Sequence, residues 1–238
     1  MINTRKNLNK LYIEEFEKAM YNINMSVRQI KKSYISCTGY FASYKNKKQI
    51  AFESVLERDF YMLLEFDENV VSYQEQPITI NYEYVDSLKR KYTPDCLVTY
   101  KDRTQIYYEV KYINEINNDE ELRIKLDFLR KYFHQKYSYS LNLFTDEEIY
   151  KEELENFKFL YKFAFLPINK EKTEQINKIL NTTDEITIKN ILNKISSKQF
   201  EQMTFLPYIW NYVFHNLSIV NLSSKFTMNT ILEKKVFI

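Results

Sequence analysis

The chain has 238 residues, 45% of them hydrophobic and 28% charged, with a net charge of +2. That length suits one large domain, or a medium domain with a small one, and the balance is that of a globular protein. Nothing approaches the ~18 apolar residues of a membrane span, residues 1–16 lack the apolar core of a signal peptide, and two cysteines make no disulfide framework, so cytoplasmic residence is expected. Charge is unevenly spread. Residues 1–50 hold ten Lys/Arg against three Asp/Glu, residues 51–170 hold 16 against 23, and residues 171–238 hold eight against six. An acidic middle beside a basic arm suits a cation site with a nucleic-acid-facing periphery. The 21 tyrosines fit an AT-rich coding bias and are not read as base-stacking platforms.

Residues 5–32 have helical apolar spacing, with Arg28 among the basic residues of this arm. Residues 34–44 read as irregular strand and contain Gly39, the only glycine. A single glycine marks either a positive φ or a close approach. Lys45, Lys47 and Lys48 form a basic turn, either contacting phosphates or simply solvated. Residues 50–66 are the strongest helix, with Phe52, Val55, Leu56, Phe60, Leu63 and Leu64 in one stripe. Glu53 and Glu57 share a face four residues apart, as a metal ligand would require or as a solvated acidic face would allow. Arg58, Asp59 and Glu65 are expected to be exposed.

Residues 69–77 read as a strand closing at Pro77, residues 78–85 as the next strand, and residues 86–91 as a turn. The stretch from Tyr92 to Tyr112 then reads as a hairpin, 92–100 and 105–112, around a polar turn. Asp95 follows a proline on the first strand. Glu109 and Lys111 leave one face of the second, while Val110 points the other way. Carboxylates gathered on a sheet face are costly unless paired, and a hard divalent cation would remove that cost. The order Pro94-Asp95, spacer, Glu109-x-Lys111 is the signature of metal-dependent nucleases of the restriction type; the bland reading is an exposed Glu–Lys pair worth about 0–1 kcal/mol. Beyond it lie a helix at 120–137, a strand at 139–145 and a helical return at 150–164. The order predicts an α/β fold with a mixed central sheet flanked by helices.

The apolar pattern breaks near Pro167, which places a catalytic domain at 1–168 and a second domain at 169–238. The second reads as helices at 171–181, 185–196 and 203–216, then strands at 217–222 and 234–238, the plan of a winged helix. His134 and His215 are too few and too far apart for a zinc site.

The ordered set GYFASYKNKKQIAFESVLERDFYMLLEFDENVVSYQEQPITINY, YTPDCLV, YYEVKY and LNLFTDEEI, covering about residues 34–165, resembles the TnsA family of transposon endonuclease subunits. The resemblance implies a restriction-endonuclease-like fold and metal-dependent cleavage of double-stranded DNA at the 5′ ends of a transposon. It implies a DDE-type recombinase partner (TnsB-like) for the 3′ ends, and an ATP-dependent regulator (TnsC-like) contacted by the C-terminal part. The family's helix acid falls on Glu57, its aspartate on Asp95, and its strand pair on Glu109 and Lys111. The family pattern admits Gln at the position of Glu109; here the acid is kept. On this reading Asp95 and Glu109 hold Mg²⁺, with Mn²⁺ as a substitute, the Val110 carbonyl adds a ligand, and Glu57 reaches the ion directly or through water. Lys111 orients water or steadies developing charge. Glu75 and Gln76 either serve the site or brace the strand end, and Arg28, Lys45, Lys47 and Lys48 are candidate phosphate contacts. The alternatives are a stand-alone restriction- or phage-type nuclease, and an inactive DNA- and protein-binding adaptor.

Overall fold

The computed structural model describes residues 37–84 and 88–234. The expected N-terminal helix, Arg28 and residues 235–238 lie outside the described residues. The chain divides into two compact units at Glu148/Ile149.

The first unit opens with an antiparallel hairpin of β1 (Gly39–Ser43) and β2 (Lys48–Phe52), in which Gly39 faces Phe52. Of the two reasons a lone glycine could be needed, close approach is the one found. A Cβ at Gly39 would sit 2.7 Å from the Phe52 ring, and its φ is not positive. Helix α1 spans Val55–Phe66, so Ile50–Phe52, expected at the start of that helix, are strand instead. The helix begins where it does because Ser54 caps it. The Ser54 hydroxyl accepts from the Glu57 N–H at 3.0 Å, and Glu57 in turn accepts from the Glu53 N–H at 2.9 Å.

The main sheet has the order β3 (Val70–Glu75), β6 (Cys96–Tyr100), β7 (Gln105–Val110), β8 (Ser140–Phe144). Its first two pairings are antiparallel and β7–β8 is parallel. Parallel pairing requires a crossover, supplied by α2 (Ile113–Asn118) and α3 (Glu120–Tyr137). Strand alternation sends Tyr108 toward α1, where it meets Phe60 at 5.2 Å, and Tyr107 toward α3, where it meets Phe133 at 5.4 Å. Each helix therefore buries its apolar stripe on one sheet face. A separate two-stranded ribbon, β4 (Ile80–Glu83) with β5 (Lys89–Tyr92), adds Ile80, Tyr82 and Tyr92 to the core on the α3 side. The sequence reading made 86–91 a turn. The run Lys-Arg-Lys is strand because Tyr92 and Tyr82 anchor its inner face. The mixed α/β fold with a central mixed sheet flanked by helices is as expected.

Glu65 and Asp59, expected to be exposed, are buried. Glu65 accepts from the Ser43 and Tyr73 hydroxyls at 2.5 and 2.7 Å and from the Lys45 N–H at 3.0 Å. It ties the first hairpin to α1 and β3, and its donors all come from other elements.

The second unit contains α4 (Lys151–Tyr161), α5 (Lys170–Leu180), β9 (Glu185–Thr187), α6 (Ile188–Ile195), α7 (Gln199–Phe214) and β10 (Ile231–Glu233). The boundary read after residue 168 differs from this division. Residues 149–168 belong to the second unit because α4 packs there. Phe159 meets Trp210 at 4.9 Å, and buried Asn156 donates to the Leu222 and Ser224 carbonyls and accepts from the Phe226 N–H. The break at Pro167 separates two helices of one unit.

The strands also differ from expectation. Residues 217–219 form a 3₁₀ turn, Val220 alone bridges Leu232, and β10 pairs antiparallel with β9, whose residues were expected to be helical. Thr187 caps α6 through its side chain, which ends the strand and starts the helix. Among the described residues, no helix is long and apolar enough to cross a membrane.

Candidate active site

The site is built where β6 and β7 are held in register. The Asp95 N–H donates to the Tyr108 carbonyl at 3.0 Å, and the Lys111 N–H continues the β7–β8 ladder to the Phe144 carbonyl at 3.1 Å. This fixes Asp95 and the Glu109-x-Lys111 pair as neighbours. The Val110 N–H donates to Asp95 Oδ2 at 2.8 Å. The Lys111 ammonium lies 3.0 Å from Glu109 Oε1, 3.5 Å from Asp95 Oδ2 and 3.1 Å from the Val110 carbonyl oxygen. Two carboxylates and a carbonyl thus converge on one cation.

The electrostatics follow from this crowding. Burial, and then the Glu109 carboxylate, push the Asp95 carboxyl up to about 7, against the pull of Lys111. Burial works against the Lys111 ammonium, but Asp95 and Glu109 outweigh it and hold its pKa above the ordinary lysine value. The site carries more negative charge than one lysine offsets.

Tyr92 was not singled out from the sequence as a site residue. Its hydroxyl donates to Glu109 Oε2 at 2.6 Å, and both side chains are buried. Burial and the adjacent Glu109 charge raise its pKa, so it stays a donor. The signal for it was weak, since Tyr92 and Glu109 lie on separate strands, and one tyrosine among 21 does not stand out.

Glu57 stands at the start of α1. Its Oε2 accepts from the Glu53 N–H at 2.9 Å and its Oε1 from the Ser54 hydroxyl at 3.0 Å. Burial raises its pKa despite these bonds, and Lys111 is near enough for their charges to act on each other. Glu53 accepts from Gln76 Nε2 at 3.0 Å. Gln76 is held at φ 41° with its N–H on the Asp95 carbonyl at 2.9 Å. Glu75 is buried, 3.8 Å from Lys48, and its Oε2 receives no hydrogen bond. Glu75 and Gln76 therefore border the site, and Gln76 braces it through backbone and side chain.

The basic turn is differently used. The Lys45 ammonium donates to the Asp67 and Val70 carbonyls, and burial lowers its pKa. Lys47 lies 3.4 Å over the Tyr44 ring, and Lys48 faces Glu75.

The donor set fits a hard divalent cation. Asp95, Glu109 and the Val110 carbonyl present oxygen only, and burial, then the neighbouring Glu109 carboxylate, raise the Asp95 carboxyl. Among the described residues, no three His, Cys, Asp or Glu side chains form a metal-holding group. Such an ion would thus rest on two carboxylates, the carbonyl and water, with Glu57 outside the direct set.

Two family models match the chain. One, described as TnsA-like endonuclease N terminal, matches residues 67–146. The other, described as TnsA endonuclease C terminal, matches residues 148–222. Their junction falls at the division between the two compact units. A comparison with curated proteins gives no match.

Proposed function

The chain belongs to the TnsA endonuclease family, and from this premise we propose that it is the metal-dependent DNA endonuclease subunit of a heteromeric bacterial transposase. It hydrolyses phosphodiester bonds at the 5′ ends of the transposon during cut-and-paste transposition. The observation that carries the chemistry is the convergence of Asp95, Glu109 and the Val110 carbonyl on Lys111.

Asp95 and Glu109 would hold Mg²⁺, with Mn²⁺ as a substitute, and the Val110 carbonyl would complete the protein's share. The ion, when bound, supplies a polarised phosphate and hydroxide available near neutral pH. Lys111, kept charged by its neighbours, steadies the negative charge that builds on the phosphate. Tyr92 fixes the Glu109 carboxylate, as an outer partner fixes a ligand. Glu57, held by the Glu53 N–H and the Ser54 hydroxyl, adds its charge to the field at Lys111.

The fold reading that goes with this is a restriction-endonuclease-like core. The C-terminal unit is read as a winged helix. Support comes from β9 before α6 and α7, its pairing with β10, and the Val220–Leu232 bridge beside it. The partners are transposon-end DNA, a DDE-type recombinase and an ATP-dependent regulator docked on the C-terminal unit, all acting in the bacterial cytoplasm.

The test is strand cleavage on a plasmid carrying the transposon ends, with recombinase, regulator and Mg²⁺ present. Asp95→Asn and Lys111→Ala should each abolish 5′-end cleavage while the 3′ ends are still cut. Wild-type 5′ cleavage by either variant overturns the assignment.

A further inference from the structure

Residues 51–170 are acidic overall, yet Lys89-Arg90-Lys91 stands in their middle. On β5 these residues alternate. Lys89 and Lys91 are exposed on the outer face, opposite Glu83 and Asn81. Arg90 and Tyr92 face inward, Arg90 at 4.9 Å over the Tyr84 ring and Tyr92 onto Glu109. Among the described residues neither exposed lysine makes an ion pair. Lysines on an edge strand serve to block aggregation, and that role asks nothing of the ribbon's inner face.

The inner face is nevertheless fastened to the site. Tyr92 donates to Glu109 at 2.6 Å and packs edge-on against Phe133 at 5.8 Å. Thr79 and Thr93 bond across the ribbon at 2.7 Å, and the Tyr132 hydroxyl reaches the Asn81 carbonyl at 3.3 Å. The strand that carries the two charges is therefore tied to Glu109 through Tyr92. Chain reach limits Lys91 to about 14 Å from Asp95 and Lys89 to about 21 Å. A duplex carries one phosphate charge per ~1.7 Å of axis, so a duplex with its scissile phosphate at Asp95 has backbone phosphates within that reach.

We infer that the β4–β5 ribbon is a DNA arm of the catalytic unit, with Lys89 and Lys91 each contacting one backbone phosphate of the duplex flanking the cleavage point. The inference rests on the endonuclease reading. Compact ammonium groups on phosphates carry no base information, so the contact is independent of sequence. The Tyr92–Glu109 bond ties the ribbon that holds these phosphates to the site of the cut.

The test is fluorescence anisotropy of the full chain on a labelled 30-base-pair duplex, without divalent ions, across about 50–200 mM salt. The Lys89→Ala/Lys91→Ala double variant should lower the steepness of log affinity against log salt by about 1.8, at about 0.9 per lost contact, equally on transposon-end and random duplexes. Lys89→Arg/Lys91→Arg should keep the wild-type slope, and Lys194→Ala/Lys198→Ala serves as a control for net charge. Both substituted lysines are exposed, so circular dichroism should match wild type. A double-alanine slope equal to wild type, or equal to that of the Lys194/Lys198 control, overturns the arm while transposition assays still decide the endonuclease reading. A wild-type chain that binds no duplex even at low salt also overturns the arm, and the transposition assay alone then decides the endonuclease reading.

Discussion

Tyr92→Phe removes one oxygen atom and isolates one link. The hydroxyl donates to Glu109 Oε2 at 2.6 Å, with both residues 7% exposed. The ring stays in the cluster with Phe133 and Tyr107, so no large cavity opens. A hydrogen bond to a charged group contributes about 1.5–3 kcal/mol, and here the acceptor is left buried with Lys111 as its remaining close partner. Stability measured by urea denaturation, followed by far-ultraviolet circular dichroism, should fall by about 1.5–3 kcal/mol. The metal effect is separable. Loss of an outer partner weakens metal affinity by about 10–100-fold, which Mn²⁺ calorimetry reads directly. In a double-mutant cycle with Glu109→Gln, the two changes should couple by at least about 1 kcal/mol. Unchanged stability and unchanged Mn²⁺ affinity would refute the claim that Tyr92 orients Glu109.

Four further outcomes follow from named contacts. Lys111→Met removes the cation that shares its oxygens with the proposed ion, so Mn²⁺ should bind the variant more tightly while cleavage is lost; weaker binding would mean that Lys111 lies outside the metal's place. With its folded pKa raised to about 7 from an unfolded value near 4, Asp95 favours folding below pH ~4 and loses that contribution as pH rises through about 7. Metal-free protein should thus weaken over that window, Asp95→Asn should flatten the slope, and Mn²⁺ affinity should drop below about pH 7 because ligands must be ionised. Ser54→Ala should cost about 0.5–2 kcal/mol in thermal or urea unfolding by removing the α1 cap, with no loss if Ser54 caps nothing in solution. Asn156→Ala removes two donated bonds and one accepted bond around Leu222, Ser224 and Phe226, an expected cost of about 2–4 kcal/mol. Because Phe226 stacks on Trp210 at 5.7 Å, the emission of that sole tryptophan should shift; an unmoved spectrum would show that Asn156 does not hold this loop.

What was legible in the sequence was what strand alternation and helix spacing govern locally. Asp95, Glu109 and Lys111 could be brought together because a two-residue period and one hairpin turn suffice, and α3 could be placed because its apolar residues, Leu126, Leu129 and Phe133 among them, recur at helical spacing within one contiguous segment. Contacts that join distant segments were not legible. Glu65 looked like any helical acid, since nothing local distinguishes a carboxylate that receives Ser43 and Tyr73 from one that faces water. Lys45 looked like a phosphate contact, because the carbonyls of Asp67 and Val70 that occupy it are set by how the first hairpin folds back. Tyr92 and β5 failed together. A run of Lys-Arg-Lys is polar enough to read as a turn, and only pairing with β4 makes it a strand whose last residue reaches Glu109. The same long-range pairing that hid the ribbon from sequence reasoning gives it a role. It connects the charges at the surface to the orientation of a carboxylate in the site, so a strand that looked like punctuation becomes a mechanical part of the proposed catalytic centre.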